Sequence, residues 1–147
     1  RSPSRGLGDV YKRQDFNNVN GEGMKNHNLN FIELVESSLK IVDECDIHEV
    51  KSKLDNDEDF WLVDVREDRE WIEGHIKGAF HLGKGVIERD IGNVINDKNK
   101  LIVLYCQGGF RSALAGENLK KMGYTNIVSM KGGFGDWINH NFPVDKP

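Results

Sequence analysis

The sequence predicts an α/β fold in which a mostly parallel sheet is covered by helices on both faces. Short apolar runs alternate with segments whose apolar residues recur at helical spacing, and this alternation is typical of βαβ units. The run at 101–105 is apolar at every position. Apolar residues on both sides of a strand indicate a central strand that is covered on both faces.

The first part of the chain begins with an amphipathic helix. Apolar residues from Phe31 to Val42 recur at helical spacing, which predicts a helix over 30–43. Ile47 is a candidate for a very short strand. Residues 48–54 are predicted to form a short helix with two apolar side chains facing inward.

The middle of the chain predicts two strands, each followed by a short helix. The apolar run at 60–65 is predicted to be a strand, and residues 67–73 a helix that carries Trp71. A further strand is expected at 78–82 and another short helix at 86–91.

The last part of the chain completes the α/β alternation. A helix is predicted over 112–122, with Gly123 placed as a left-handed stop. A strand at 126–130 and a helix around 134–140 follow. Five strands are therefore expected, and sites in such sheets form at the carboxyl ends of the strands.

The bulk composition limits the classes of function. The chain has 147 residues, which is enough for one domain with a sizeable core. The net charge of −4 argues against nucleic acid or an anionic membrane surface as the main partner. No apolar stretch is long enough to span a bilayer. Two cysteines favour free thiols in a reducing compartment. No signal-peptide layout follows Met24, so a cytoplasmic location is expected.

The N-terminal residues are interpreted separately from the fold. Residues 9–14 resemble the translation of a transposon adapter end used in sequencing libraries, so residues 1–23 are interpreted as an adapter-derived or upstream segment that is disordered. The alternative is a native basic tail. Residues 24–45 are then expected to hold the N-terminal helix, and residues 46–143 the main domain.

The loop at 106–112 is the strongest functional signal in the chain. Cys106 follows the central apolar run and precedes a predicted helix. Backbone N–H groups of a tight turn and the positive end of a helix both favour a thiolate over a thiol. Gly108 and Gly109 allow the backbone to curl so that consecutive amides form a nest for a negatively charged sulfur. Cys106 is therefore predicted to be a nucleophile.

The chain resembles the single-domain rhodanese family of sulfurtransferases. Four separated patches carry the resemblance: residues 64–67, residues 74–79, residues 106–112, and residues 132–134 followed by Trp137. The resemblance implies a three-layer α/β sandwich with a mostly parallel five-stranded sheet.

The resemblance also implies covalent sulfur transfer. The loop cysteine of this family attacks the outer sulfur of a donor such as thiosulfate, holds it as a persulfide, and passes it to cyanide or a thiol. This implies a small-molecule sulfur donor and a thiol or cyanide acceptor as partners, or a sulfur-relay protein. No cofactor is expected, and no metal, because the histidines have no ligand spacing.

The residues of the loop receive individual roles. Gln107, Gly108, Gly109, Phe110 and Ser112 are expected to contact the substrate. Ser112 is interpreted first as the cap of the following helix, with its hydroxyl also able to approach the persulfide.

Arg111 is the second predicted catalytic residue, and two roles are open for it. It either binds the anionic end of the donor or braces the loop against a carboxylate. The resemblance favours bracing, with Asp64 or Glu70 as the partner. Asp64, Arg66 and Glu70 are predicted to be supporting residues, although Asp64 is equally interpreted as the cap of the next helix.

Two other reactive side chains receive a structural interpretation. His75 lies in a turn and is interpreted as a hydrogen-bonded structural residue. Cys45 is interpreted as a buried apolar residue, and it qualifies as a resolving thiol only if it lies near Cys106.

Three other functions compete with sulfur transfer to a small molecule. A sulfur-relay module would use the same persulfide with a protein acceptor. A cysteine-dependent phosphatase or arsenate reductase is disfavoured because the loop from Cys106 to Arg111 is one residue shorter than in phosphate-handling relatives of this fold. A non-catalytic interaction domain is disfavoured because the nucleophile is present.

Overall fold

The computed structural model of the protein describes residues 27–147, so the interpretation of residues 1–23 lies outside the described part of the chain. Its helices are α1 Leu29–Leu39, α2 Ile47–Asp55, α3 Asp68–Glu73, α4 Ile87–Asp90, α5 Phe110–Lys121 and α6 Gly133–Asn139. Its strands are β1 Asp43–Cys45, β2 Trp61–Asp64, β3 His75–Ile76, β4 Phe80–His81, β5 Ile102–Tyr105, β6 Ile127–Met130 and β7 Val144–Asp145.

Five of these strands form one parallel sheet in the order β1-β6-β5-β2-β4. β5 lies at the centre of the sheet and is buried along its whole length, as its continuous apolar sequence predicts. β3 and β7 form a separate antiparallel pair. The predicted α/β fold with a five-stranded parallel sheet is confirmed.

Helices cover both faces of the sheet. Ile102, Leu104 and Cys106 belong to a core cluster that also contains Ala115 and Leu119 of α5. The alternate residues Val103 and Tyr105 belong to a second cluster, which includes Val50 of α2 and Trp137 of α6. Because successive side chains of a strand point to opposite faces, the two clusters are the two layers of core on either side of the sheet.

Helix α1 packs outside the first layer. Ile32 and Val35 are buried against Phe110 and Ala113 of α5. The helix ends at Leu39, before the predicted end at residue 43. Strand β1 begins at Asp43 and pairs with β6, so the chain leaves the helical conformation before that residue.

The prediction of a strand at Ile47 is wrong. Ile47 is the first residue of α2, and the short strand is Asp43–Cys45. Asp46 accepts a hydrogen bond from the amide of Glu49, and the Glu49 side chain accepts one from the amide of Asp46. This capping box starts a helix directly after Asp46, so Ile47 adopts the helical conformation.

Two further boundaries differ from the predictions. The strand predicted at 78–82 is limited to Phe80–His81, and β3 was not predicted at all. α5 begins at Phe110 rather than at residue 112. No helix in the described residues 27–147 has both the length and the apolar character needed to cross a bilayer.

Candidate active site

Cys106 lies directly after β5, at the carboxyl end of the central strand. Its side chain is buried, with 1% of its surface exposed. The amide of Gly109 donates a hydrogen bond to its Sγ at 3.1 Å. The Oγ of Ser112 lies 3.6 Å from the same sulfur and 2.8 Å from the Oγ of Ser129. The sulfur therefore has a backbone amide and a hydroxyl beside it.

The turn after Cys106 depends on a left-handed residue. Gly109 has a φ of 96° and is the N-cap of α5. This conformation is favourable for glycine and costly for other residues. It aims the Gly109 amide at Sγ and starts α5 immediately afterwards, so the positive end of a helix that extends to Lys121 lies beside the sulfur.

The interpretation of Ser112 as a helix cap is wrong. Ser112 lies inside α5, is fully buried, and turns its hydroxyl toward Ser129 and Cys106. Gly109 occupies the N-cap position without any side-chain hydrogen bond. The helix begins earlier than predicted because the glycine turn already satisfies its entry geometry, which leaves Ser112 one turn into the helix and facing inward.

The backbone of the loop is held from the other side by the start of α6. The amide of Phe134 donates to the carbonyl of Cys106 at 2.8 Å, and the amide of Gly135 donates to the carbonyl of Gln107 at 3.0 Å. Two loop carbonyls thus satisfy amides of the first turn of α6, which have no partner within that helix. Both carbonyls are directed toward α6, and the loop after Cys106 has a second point of attachment.

Arg111 faces Glu70 and forms a bidentate ion pair with it. The two guanidinium nitrogens donate to the two carboxylate oxygens at 2.8 and 3.0 Å. These hydrogen bonds lower the pKa of Glu70 to about 2 and raise the pKa of Arg111. Of the two carboxylates considered from the sequence, Glu70 is the one that Arg111 contacts. The arrangement braces the loop against α3.

Asp64 pairs with Arg66 instead. Both side chains are buried, and the guanidinium of Arg66 donates to the Asp64 carboxylate at 2.9 to 3.1 Å. Arg66 also donates to the carbonyl of Gly74 at 2.7 Å and lies over the ring of Phe134. The alternative that Asp64 caps the next helix is wrong, because Glu67 is the N-cap of α3.

Tyr105 ties the end of the central strand to the same region. The amide of Ile76 donates to its hydroxyl oxygen at 3.0 Å. Burial of the phenol and the nearby Asp64 carboxylate raise the pKa of Tyr105. The hydroxyl is thus neutral, and it joins β5 to β3 beneath the loop.

Cys106 lines an open cleft of about 620 Å³. Four residues of the loop besides Cys106 line it, namely Gln107, Gly108, Phe110 and Arg111. Glu70 also lines it, whereas Gly109 and Ser112 do not.

Several lining residues were not predicted from the sequence: His27, Phe31, Arg69, Gly132, Gly135, Ile138 and Asn139. Phe31 was counted only as one apolar residue of an amphipathic helix. The signal in the sequence is the position of Phe31 in the first turn of the predicted helix. A side chain in that turn can extend beyond the neighbouring helix and line a cleft next to it.

The structure also settles the position of Cys45. Cys45 lies on β1, and β6 separates β1 from β5, so two strand spacings of about 4.8 Å each lie between them. Cys45 packs in the second core cluster, on the face opposite Cys106. Burial raises the pKa of the Cys45 thiol to about 12. Cys45 is not placed to resolve an adduct on Cys106.

His75 has the structural environment that the sequence predicts. Its ring stacks on Trp71 with centroids 3.4 Å apart, and its Nδ1 lies 3.3 Å from the carbonyl of the same residue. The side chain is buried at the end of α3. Its interpretation as a hydrogen-bonded structural residue is confirmed.

Comparison with known proteins identifies the family. The model of the rhodanese-like domain matches residues 46–140. The chain belongs to the rhodanese family. The matched region contains the whole loop around Cys106 together with Glu70 and the start of α6.

Two curated relatives show how far the similarity extends. A sulfurtransferase of Allochromatium vinosum is 31% identical over 107 residues, which are 73% of this chain and 98% of that protein. A Bacillus subtilis protein named "Putative sulfur carrier protein YrkF" is 31% identical over 96 residues. That match covers 65% of this chain and 51% of YrkF, so this rhodanese-family chain spans about half the length of that relative.

Solved structures share the fold. The polysulfide-sulfur transferase homodimer of Wolinella succinogenes is 25% identical, with a TM-score of 0.68, and the match covers 80% of this chain and 88% of that one. A thiosulfate sulfurtransferase of Pseudomonas aeruginosa superposes with a TM-score of 0.66 at 22% identity, covering 71% of this chain and 20% of that chain. At that identity the likeness establishes the fold alone.

Proposed function

We propose that the protein is a sulfurtransferase that carries a sulfane sulfur on Cys106 as a persulfide. One observation supports this most directly: Cys106 lines an open cleft, its sulfur accepts the Gly109 amide at 3.1 Å, and it lies beside the start of α5. Amides and a helix N-terminus stabilise negative charge on sulfur. The family and its sulfurtransferase relative point to the same chemistry.

The proposed reaction has two nucleophilic displacements at sulfur. The Cys106 thiolate attacks the outer sulfur of thiosulfate, a sulfur–sulfur bond forms, the bond within thiosulfate breaks, and sulfite leaves with the electron pair. Cyanide or a thiolate then attacks the terminal persulfide sulfur, and the Cys106 thiolate is restored as the leaving group. No redox partner is needed in the cyanide reaction, because the products are sulfite and thiocyanate.

The surroundings of the sulfur suit both the thiolate and the persulfide of Cys106. The Gly109 amide and the Ser112 hydroxyl lie beside Sγ, and both donate hydrogen bonds to an anionic sulfur. Cys106 lines a cleft of about 620 Å³, a volume that holds one more sulfur atom and a donor. Arg111 contributes by fixing the loop through Glu70, which makes it a positioning residue in this proposal.

The same contact weighs against a phosphatase or arsenate reductase. Binding a tetrahedral oxyanion calls for an arginine that points both guanidinium arms at the ligand. Both arms of Arg111 already donate to Glu70. The short loop and this pairing both favour a sulfur substrate.

The direct test is thiocyanate formation from thiosulfate and cyanide, with intact-mass detection of an added sulfur atom on Cys106. We expect activity in the wild type, none in Cys106→Ser, and wild-type activity in the control Cys45→Ser, which keeps the nucleophile. Absence of both the adduct and thiocyanate from the wild type would refute the proposal.

A sulfur-relay role is the second candidate, and the charge of the cleft favours it. The Arg111 guanidinium is neutralised by Glu70, and Gln107 and Phe110 are uncharged, so attraction for dianionic thiosulfate is weak. The relative YrkF is named as a sulfur carrier. Incubation with a cysteine desulfurase, its substrate and this protein distinguishes the two: a relay module is charged faster by the enzyme than by thiosulfate.

The cytoplasmic location stays a prediction.

A further inference from the structure

Helix α1 and the segment just before it contribute side chains to the cleft, although both lie outside the region matched by the family model. The match begins at residue 46, whereas His27 and Phe31 line the same cleft as Cys106. We infer that these two residues form, with Phe110, a subsite for the carbon skeleton of an organic persulfide. This inference rests on the proposed function and specifies the substrate class for the same site.

The three rings form one continuous aromatic wall. The centroid of His27 lies 5.0 Å from that of Phe31 and 5.4 Å from that of Phe110, and Phe31 lies 6.3 Å from Phe110. The two contacts to Phe110 are edge-to-face, an arrangement that aromatic pairs prefer. The wall therefore has a defined shape rather than being three independent side chains.

The wall is held in place by the beginning of α1. The Asn28 side chain caps the helix by accepting the amide of Phe31 at 2.9 Å. Ile32, the next residue, and Val35, one turn further on, are buried against α5. Because the cap fixes the backbone of Phe31 and the buried residues fix the helix, the ring is presented to the cleft at low entropic cost.

The opposite side of the cleft is polar but carries little uncompensated positive charge. Arg111 is paired with Glu70, and Arg69 lies 3.3 Å from Glu67. Gln107 and Asn139 supply amide groups. A small inorganic dianion would find each of these cations already accompanied by a carboxylate.

The size and composition of the cleft fit an organic donor better. Pockets that hold organic ligands have volumes of roughly 300 to 1,000 Å³ and combine apolar walls with a few polar groups, and this cleft measures about 620 Å³. Aromatic rings also make favourable contacts with divalent sulfur. A low-molecular-weight persulfide R–S–SH would place R against the wall and its terminal sulfur at Cys106.

The transfer balances without another reactant. The Cys106 thiolate attacks the terminal sulfur of R–S–SH, the bond between the two donor sulfurs breaks, and the donor leaves as the thiol R–SH with the proton of the persulfide. The product is the Cys106 persulfide anion.

The test compares two donors on three proteins. Loading of Cys106 is measured by intact mass and stopped-flow kinetics, with glutathione persulfide and with thiosulfate, for the wild type, Phe31→Ala and Leu34→Ala. Leu34 lies on the same helix, is 55% exposed and does not line the cleft. We expect Phe31→Ala to raise the glutathione persulfide concentration that gives half of the maximal loading rate about tenfold, with the limiting loading rate nearly unchanged and a much smaller effect with thiosulfate. Leu34→Ala is expected to behave as the wild type.

The outcomes separate this inference from the proposed function. If Phe31→Ala slows loading by both donors equally, or lowers only the limiting loading rate, then Phe31 is only structural and the inference is overturned. Loading of the wild type by thiosulfate but not by glutathione persulfide would also overturn it, while leaving sulfur transfer intact. Loading by neither donor would remove the proposed function itself.

Discussion

Gly133 lies against the carbonyl oxygen of Cys106. A β-carbon added at Gly133 would lie 2.4 Å from that oxygen and 2.7 Å from the carbonyl oxygen of Gln107. Gly133 also has a φ of 57°, a conformation that side chains other than glycine rarely adopt. The close approach lets the next two amides hold the two loop carbonyls, so the loop after Cys106 is joined directly to the start of α6.

Gly133→Ala is expected to displace the loop and reduce persulfide formation. The left-handed conformation alone costs about 1 to 2 kcal/mol, and the clash adds to it. Since a displacement of about 1 Å at a reacting group can cost about a hundredfold in rate, we expect the thiosulfate loading rate to fall at least about tenfold. Gly92→Ala is the control, because a β-carbon there meets nothing within 4 Å. Equal loading rates in the two variants would contradict the prediction.

Gly109→Ala is expected to impair loading by thiosulfate more than Phe110→Ala does. Gly109 has a φ of 96° and its amide contacts Sγ, so alanine strains the backbone that aims the hydrogen bond. Phe110 is buried and packs against α1, so its truncation costs stability, on the order of 3 kcal/mol. Both rates are measured well below each variant's melting temperature. Indistinguishable loading kinetics would count against the tight turn as the source of reactivity.

The Glu70–Arg111 pair is expected to persist at every pH at which the enzyme is ordinarily assayed. The pKa of Glu70 falls from 4.5 to about 2 because Arg111 donates to it. A lowered carboxyl pKa gives stability that is fully present above the unfolded value and is lost as pH falls through the folded value. We expect Glu70→Gln to be less stable than the wild type by about 1 kcal/mol, constant from about pH 6 to 8 and shrinking below about pH 4.5. Denaturant unfolding at several pH values measures it, and a difference that varies between pH 6 and 8 would contradict this account.

Removing the charge of Asp64 is expected to destabilise the protein strongly. Arg66 and Asp64 are both almost completely buried, so Asp64→Asn leaves a buried guanidinium without a countercharge. Breaking one side of such a pair costs about 3 to 5 kcal/mol. The control Asp55→Asn breaks the exposed Lys51–Asp55 pair and should cost less than about 1 kcal/mol. Urea unfolding measures the free energy of unfolding of both variants. Similar losses of stability in the two variants would contradict the prediction.

Cys45 is expected to be a poor nucleophile at neutral pH. Burial raises its pKa to about 12, so only a very small fraction is thiolate near pH 7. In Cys106→Ser, alkylation by iodoacetamide should be slow at pH 7 and rise steadily as the pH approaches 12. In Cys45→Ser, labelling should be fast. After incubation with a sulfur donor, the label should be attached through one additional sulfur atom and should be released by dithiothreitol. Fast neutral labelling of Cys106→Ser would show that Cys45 is reactive after all.

Much of the backbone was predictable because its causes are local. The apolar run at 101–105 predicted the central strand, since a strand covered on both faces needs apolar residues at every position. The glycines after Cys106 predicted a tight turn, and Gly109 supplies its left-handed residue. The error at Ile47 is also local: the capping box formed by Asp46 and Glu49 was present in the sequence and outweighs the apolar character of that residue.

The α/β alternation and the tight turn after Cys106 follow from local sequence patterns, and the same patterns carry the prediction that Cys106 is a nucleophile. Long-range packing sets which carboxylate Arg111 contacts, which face of the sheet Cys45 occupies, and that Phe31 reaches the cleft. The two groups of features differ in the sequence separation of the residues that cause them. Backbone conformation follows from neighbours a few residues away, whereas Glu70 and Arg111 are 41 positions apart and meet because β2 and β5 lie side by side in the sheet. Asp64, at the end of β2, does not pair with Arg111 because its carboxylate is already bound by Arg66, two positions later.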